Sequence, residues 1–415
     1  MLYNKQAITK MWAIVLAVVI LVAAVAGSAA YYLTLPTPKK EILVGAAISQ
    51  TGSYGAAGNT LLEGYKLWEK DVNQRGGILG IPVRFIVYDD KSDPATTKSL
   101  YERLITVDKV DFLLGPYSSA CSFAMAPVAE KYHMVVLHDM NNAKSIFSQG
   151  WEYQFMVVLG GLTDLQQQMP FFLMLSSMPA DQKPKTIGVV NTADLYPQGV
   201  ANGTIAFAKQ YGFDVVFHEE IEKGSTDVTA VVSKLKNANP DAVFFSGYFP
   251  EETLLIRTTY ELGFHPKAIQ SYLAMLLWTQ AVSTLGQQAN GVYGNAQYLT
   301  SYNFAGNAQF VQMYKAQYNK EPTIYQAMGY SCCLLLEKAI IGVGKSNDQE
   351  AVRTWLLNNK VELPIGTWQV DQTLANQGIK YVPQVSLLVH QIIDGVPQIV
   401  YPPANATHTF VYPLP

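Results

Sequence analysis

Residues 41–74, EILVGAAISQTGSYGAAGNTLLEGYKLWEKDVNQ, decide the fold class of this chain. The first eight are mostly apolar, as in a buried strand, and residues 55–74 repeat apolar side chains at helical spacing. A glycine-containing loop connects these two segments. A buried strand that leads through a short loop into an amphipathic helix is typical of a parallel α/β sheet.

Outward from this stretch, the same alternation of strand and helix continues along the chain. It predicts two successive α/β blocks that together extend to about residue 291, each with a mostly parallel sheet covered by helices. Two further helices follow, and the tail alternates in the manner of strands, with a hairpin at Asp394-Gly395. The predicted strands after the first lie at 82–90, 110–115, 134–139, 185–191, 213–221 and 241–248.

An uncharged apolar run at residues 11–35 precedes the globular sequence. It is long enough to cross a bilayer as one helix, and Lys5 and Lys10 before it favour a cytoplasmic N-terminus, residues 1–10. The alternative is a cleaved secretory signal. Residues 6–10 resemble a class III signal of archaeal surface proteins, which implies trimming near Ala7. We expect a single-pass membrane protein with a linker at 36–40 and its bulk extracellular or periplasmic.

Composition and motifs exclude several classes of function. The net charge of −3 contains no basic block, so no nucleic-acid partner is expected. The three cysteines cannot form a disulfide framework, and the six histidines show no metal-ligand spacing. No nucleophile elbow or phosphate-binding loop occurs, and His138-Asp139 would point to opposite faces of a strand. The sequence therefore predicts a non-enzyme without metal or cofactor. Glycosylation sequons begin at Asn202 and Asn405.

Five segments in a fixed order carry a family likeness: AISQTGSYGAAGNTLLEGYKL, VNQRGGILGIPVRFIVYDDKSDP, VDFLLGPYSSA, APVAEKY and SGYFPEE. They resemble the type 1 periplasmic binding fold, and within it the leucine/isoleucine/valine-binding receptors of ABC transporters. The likeness extends over residues 41–400. It implies two α/β lobes that close on a small ligand: one from 41–161 with 291–365, the other from 162–290 with 366–415.

The predicted site lies where ligands bind in parallel sheets, beyond the carboxyl ends of the strands. At residues 115–119 a strand turns into a helix, whose first amides suit a ligand carboxylate. Ser118 or Ser119 would contact the ligand there, and Ser119 best matches the carboxylate-binding serine of the family. The alternative is that these serines only cap the helix.

Tyrosines are expected to enclose the ligand. Tyr54 lies at the tip of the first loop. Tyr196 and Tyr248 stand where the family has aromatic side chains that cover the ligand, with Phe249 as a neighbour. A tyrosine ring covers apolar surface while its hydroxyl donates a hydrogen bond. A place in the core or on the surface is the alternative for each.

The departures from the family pattern concern the ligand's charge. Tyr272 stands where amino-acid-binding members have the carboxylate that pairs with the ligand's ammonium, and Met140 and Asn142 replace a small residue and a threonine. A buried ammonium without a partner is costly. Either Asp139 or Asp164 has taken this role, or the ligand carries no ammonium. Amino acids, amides and small organic or aromatic acids are all consistent with the sequence.

The resemblance implies a solute-binding receptor of an ABC importer that delivers its ligand to a permease in the membrane. The alternative function is a sensory module that signals ligand-driven closure to a separate membrane partner.

Overall fold

A computed structural model describes residues 5–34, 40–158, 164–295, 298–370 and 388–414. The chain divides into two compact units, Met1–Glu41 and Ile42–Pro415. Each is described by itself.

The first unit consists of helix α1, Lys5–Thr34. The side chains of Lys10 and of residues 12–25 are exposed. Within the described residues, no helix is both long enough and apolar enough to cross a membrane. The transmembrane prediction for residues 11–35 is therefore not confirmed. Most of the predicted linker, residues 36–39, lies outside the described residues.

The second unit begins with a five-stranded sheet in which all neighbouring strands are parallel, in the order β2-β1-β3-β4-β5. Its α3 has a capped start, since Asp93 accepts a hydrogen bond from Thr96 N (2.7 Å) and Pro94 occupies the first helical position. The elements of this first half are β1 Ile42–Ile48, α2 Gly55–Gln74, β2 Val83–Asp89, α3 Pro94–Thr106, β3 Phe112–Leu114, α4 Ser119–Lys131, β4 Val136–His138, α5 Lys144–Phe147 and β5 Gln154–Met156.

The second half repeats the pattern with a second sheet. Gly212 ends the helix after its first strand in the left-handed conformation (φ 75°), which glycine adopts without strain. Its elements are α6 Met169–Ser176, β6 Thr186–Thr192, α7 Leu195–Tyr211, β7 Asp214–Ile221, α8 Thr229–Ala238, β8 Ala242–Ser246, α9 Phe249–Glu261, β9 Ala268–Ser271, α10 Leu273–Leu276, α11 Trp278–Leu285 and β10 Tyr293–Asn295.

The C-terminal part of the chain completes both halves. α12 Asn307–Tyr318, α13 Ile324–Val343, α14 Gln349–Asn358 and the hairpin β11 Val361–Leu363 with β12 Gly366–Trp368 contribute to the core of the first half. β13 Val389–Ile393 and β14 Val396–Tyr401 add an antiparallel hairpin to the second sheet, whose order is β14-β13-β10-β9-β8-β6-β7. Asp394 and Gly395 form its turn at positive φ, which confirms the predicted hairpin.

Two boundaries of the predicted lobes need correction. The division at 290/291 would place β10 in the first lobe, but Tyr293 pairs with Gln270 of β9 in the second sheet. The division at 365/366 would place β12 in the second lobe. However, β12 pairs with β11, and the Trp368 indole donates to Met156 O of the first sheet (2.9 Å). In both cases a three-residue strand was too short for its partner to be inferred from local sequence.

The core of the first half depends on a close packing of α2 against α13. A Cβ on Gly64 would lie 2.4 Å from Gln326 O, and one on Gly329 would lie 2.7 Å from Leu61 O. Only glycine permits this approach. Cys332 and Cys333 lie in the same helix as buried free thiols, which agrees with their prediction as core residues.

Candidate functional site

The predicted site residues follow the carboxyl ends of strands in both sheets. Ser118 is the N-cap of α4, and its Oγ accepts a hydrogen bond from Cys121 N (3.1 Å). Ser119 is the first residue of the helix and only 3% exposed, and its hydroxyl has no hydrogen-bond partner among the described residues. The capping alternative therefore applies to Ser118, while Ser119 keeps a free donor beside the positive end of α4.

Tyr54 connects the two halves. It lies at the start of α2, and its hydroxyl donates to the carboxylate of Asp194, the N-cap of α7. Lys223, which follows β7, places its Nζ 3.0 Å from Tyr54 Oη and 3.3 Å from Asp194 Oδ2. Burial, followed by the negative charge of Asp194, raises the pKa of Tyr54. We call Tyr54, Asp194 and Lys223 the bridging cluster. Asp194 and Lys223 were not predicted from the sequence, because they lie in none of the five family motifs.

Tyrosine rings from both halves meet beside this cluster. The Tyr54 ring lies 4.4 Å from that of Tyr248 and 5.9 Å from that of Tyr117, between ring centroids. Tyr117 contacts Tyr325 of α13, with 3.2 Å between their hydroxyl oxygens. Each of these four side chains is at most 5% exposed. Tyr117 had a sequence signal, because it precedes Ser118 in a quoted motif, whereas Tyr325 had none.

A second pair of tyrosines lies on the other half alone. The rings of Tyr196 and Tyr272 have centroids 6.2 Å apart, and both residues are at most 6% exposed. Tyr196 belongs to α7 and Tyr272 directly precedes α10, so both follow strands of the second sheet. The structure thus groups Tyr196 with Tyr272, and Tyr54 with Tyr248.

The loop after β4 is buried and engaged in local contacts. Asn142 is 2% exposed, and its backbone carbonyl accepts a hydrogen bond from Asp164 N (3.1 Å). The half-buried Met140 packs against the core of the first half. His138 Nε2 lies 2.8 Å from Gln154 Oε1, whereas Asp139 accepts from Tyr65 Oη. The adjacent histidine and aspartate therefore have separate partners, as expected on a strand.

The two aspartates proposed as ammonium partners differ, because Asp139 Oδ1 is buried without a hydrogen-bond partner among the described residues, whereas Asp164 accepts from backbone amides. Asp139 is fully buried against Tyr65 of α2, and burial raises its pKa to about 7. Asp164 Oδ1 accepts from Lys144 N (3.0 Å), the first residue of α5, and from Leu165 N (2.9 Å). It therefore caps the backbone amides of these two residues.

Two other carboxylates, Glu251 and Glu252, lie in the first turn of α9, whose N-cap is Tyr248. Both side chains are fully buried. Glu252 accepts from Ser271 Oγ (2.5 Å), Ala274 N (2.8 Å) and Gly247 N (2.9 Å), and burial raises its pKa to about 7. Glu251 Oε1 accepts from Gly224 N (2.8 Å), but its Oε2 has no hydrogen-bond partner.

Comparison with known protein families identifies the family of this chain. The sequence profile of the family described as periplasmic binding protein matches residues 41–385. The chain belongs to this family. Its likeness to the leucine/isoleucine/valine-binding group, expected from the five motifs, is confirmed.

Curated relatives of this family member are named for amino acids. A leucine-, isoleucine-, valine-, threonine- and alanine-binding protein of Pseudomonas aeruginosa is 24% identical over 355 residues, which cover 84% of this chain and 90% of the relative. The Leu/Ile/Val-binding protein BraC3 of Rhizobium johnstonii is 24% identical over 339 residues, or 81% and 88% of the two chains. These relatives are binding proteins rather than enzymes.

Solved structures share the fold. The leucine-binding protein LivK of Thermotoga maritima has a TM-score of 0.74 and 23% identity, covering 86% of this chain and 97% of its own. A solute-binding protein of an ABC transporter from R. palustris, in complex with benzoate, has a TM-score of 0.76 and 17% identity, covering 87% and 95%. The predicted α/β fold with parallel sheets is thus confirmed.

Proposed function

We propose that this protein is the solute-binding receptor of an ABC importer and that its two halves enclose a small organic acid. The observation that carries the proposal is the arrangement around Ser119. A free hydroxyl at the start of a 13-residue helix lies in the same half as Tyr54 and Tyr117, and the ring of Tyr248 joins them from the other half. The helix terminus suits a carboxylate, and the rings suit an apolar or aromatic body. Met140, Asn142, Tyr196 and Tyr272 are proposed as further ligand-lining residues, whereas Ser118 is proposed to act as the cap of α4.

The charges favour an acid without an ammonium group. Asp194 already has a cationic partner in Lys223 and accepts from Tyr54. Glu252 is surrounded by neutral donors, and its raised pKa makes it a weak partner for a cation. Tyr272 replaces the acid that other family members use. An α-amino acid would therefore bring a positive charge that these side chains do not balance.

One observation favours a second class of ligand, the α-amino acids. Glu251 Oε2 is buried without a hydrogen bond, and such an atom normally has a partner. A ligand ammonium could supply that partner. This class also agrees with the names of the curated relatives.

A thermal-shift measurement on residues 42–415, which form one compact unit, separates the two classes. Benzoate, 4-hydroxybenzoate and 3-methylbutanoate are compared with leucine and leucinamide. A ligand at 100 times its Kd adds about 2.7 kcal/mol to the unfolding free energy. We expect stabilisation by the acids and not by leucinamide. If leucine alone stabilises and Glu251→Gln abolishes its effect, the amino-acid class is correct. No stabilisation by any compound would contradict both.

We further propose that residues 11–35 anchor the receptor to the membrane, with the globular part on the outer side. Membership of a periplasmic binding family supports this side for the globular part. Sedimentation of the full chain with membranes, compared with a chain that begins at residue 40, tests the anchor. Recovery of both in the soluble fraction would contradict it.

A further inference from the structure

A cavity of about 230 Å³ lies away from the tyrosines of the proposed ligand site. Residues of the second half, including Met275, Asn295, His390 and Val396, line one side of it, and residues 298–301 of the connecting segment line another. Glu321 to Ile324, which lead into α13 of the first half, line the rest. None of Tyr54, Ser119, Tyr196 or Tyr248 is among its lining residues. It is therefore a separate space between elements of both halves.

His390 gives this cavity its chemistry. It is 3% exposed, and its ring lies over Gly294, its partner across the β10–β13 pair. A Cβ at Gly294 would come within 2.7 Å of His390 Nε2, so the glycine makes room for the ring. Among the described residues, neither ring nitrogen of His390 has a hydrogen-bond partner of acceptable geometry. Backbone groups of Met275 and Asn295 lie near the ring and partly oppose the effect of burial, which lowers the pKa of His390. Buried polar atoms normally have a partner, and a ligand in the cavity would supply one to the ring.

The lining also limits the charge of an occupant. Burial lowers the pKa of His390 to about 4, so the ring is neutral at pH 7 and offers one donor and one acceptor. No lysine or arginine lines the cavity among the described residues, and Glu321 is paired with Lys315 (2.5 Å). An anion would have no cationic partner here, and a cation would meet an already neutralised acid.

The remaining wall combines apolar and polar side chains. Met275, Trp278 and Pro397 supply apolar surface, and Thr300 and Ser301 supply hydroxyls. An apolar pocket with a few convergent polar groups is the usual form of a small-molecule site. An aromatic or branched body with one hydroxyl matches this lining and volume.

We propose that this cavity is a second binding site, for a small uncharged molecule that joins an aromatic or branched apolar body to a hydroxyl group bonded to His390. Because both halves line the cavity, its shape depends on their relative position. A molecule bound there shifts the opening and closing of the halves by its difference in affinity for the two arrangements.

Phenol is the probe, and the imidazole nitrogens of His390 in the 15N-labelled unit 42–415 are the signal, observed by NMR. We expect a saturable shift of the His390 signals with added phenol, at a midpoint that Ser119→Ala leaves unchanged. Val396→Trp fills the cavity from its edge and should weaken phenol binding at least tenfold. Val216→Trp is the matched control, because both valines lie on the second sheet and are 42% and 43% exposed.

The variant His390→Phe assigns the signal, because it removes the His390 imidazole nitrogens. If phenol shifts no His390 signal, or if Val396→Trp and Val216→Trp bind it equally, the second site is wrong. Loss of the phenol effect in Ser119→Ala would also overturn the proposal, since it would place phenol in the first site. The proposed importer function is tested by the acids alone and does not depend on any of these outcomes.

Discussion

The two halves contribute different chemistry where they meet, at the bridging cluster and the tyrosines beside it. The first half contributes the start of α4 with the free hydroxyl of Ser119, and neutral tyrosines. The second half contributes charged groups, namely Asp194, Lys223, Glu251 and Glu252, most of which already have partners. Under the proposed function, the first half holds the anionic group of the ligand. The two halves are joined by the hydrogen bond that Tyr54 donates to Asp194.

The largest expected effect concerns Asp139, a fully buried aspartate of the first half. Its pKa is raised from 3.8 to about 7 in the folded state, so the folded protein binds its proton more tightly. The proton on Asp139 makes its full contribution to the unfolding free energy below about pH 4, and this contribution is lost as the pH rises through 7. In Asp139→Asn, the unfolding free energy should lack this decline, which amounts to about 4 kcal/mol at most.

Urea unfolding of both proteins between pH 4 and pH 8 measures this difference. Equal pH dependence in wild type and Asp139→Asn would show that the aspartate is ionised in the fold. The first half would then place a negative charge behind the cleft, and its contrast with the second half would be lost.

The next effect tests whether both halves hold the ligand. Ser119→Ala together with Tyr248→Ala removes one contact from each half and should weaken binding of the best acid more than tenfold. One lost hydrogen bond to a charged group accounts for about 1.5–3 kcal/mol, and the lost ring contact adds to it. Isothermal titration measures the affinity, and circular dichroism confirms folding. An unchanged affinity would show that the ligand binds elsewhere.

Tyr54→Phe tests the bridging cluster with a smaller effect. It removes the hydrogen bond across the cleft but keeps the pair of Asp194 and Lys223. We expect ligand affinity to fall about three- to tenfold, as for a bond to a charged group that is partly replaced by water. Tyr88→Phe is the matched control, because Tyr88 Oη bonds Asp108 (3.1 Å) within the first half. An equal loss of affinity in both variants would show that the bridging cluster has no specific role in ligand binding.

Ser118→Ala sharpens the contrast between neighbouring serines. Because Ser118 Oγ caps α4, we expect a loss of about 1 kcal/mol in unfolding free energy. Ligand affinity should change less than twofold, in contrast to Ser119→Ala. Thermal unfolding and titration of both single variants provide the comparison. The reverse pattern would exchange the roles of the two residues.

Much of the fold followed from sequence because its signals are local. Apolar strands, helical spacing and the glycine at the end of α7 each act within a few residues. β10 and β12 were placed in the wrong half because three residues carry too little pattern to indicate a partner.

The site was only partly accessible for the same reason. Tyr54, Ser119 and Tyr248 lie in motifs that the family likeness made visible. Asp194 and Lys223 became relevant only because the fold brings Tyr54 within reach of residues 140 and 169 positions further along. Tyr325 is 208 positions from its partner Tyr117. Contacts at such distances leave no pattern in a single sequence.

The place of β13 and β14 has a consequence for biosynthesis. The second sheet gains its last two strands from residues 389–401, while α13 of the first half is synthesised before them. During synthesis from the N-terminus, β10 thus has an unpaired edge until nearly the whole chain has emerged. Unpaired strand edges invite aggregation, so the nascent protein depends on rapid completion, or on a chaperone, until its final hairpin arrives.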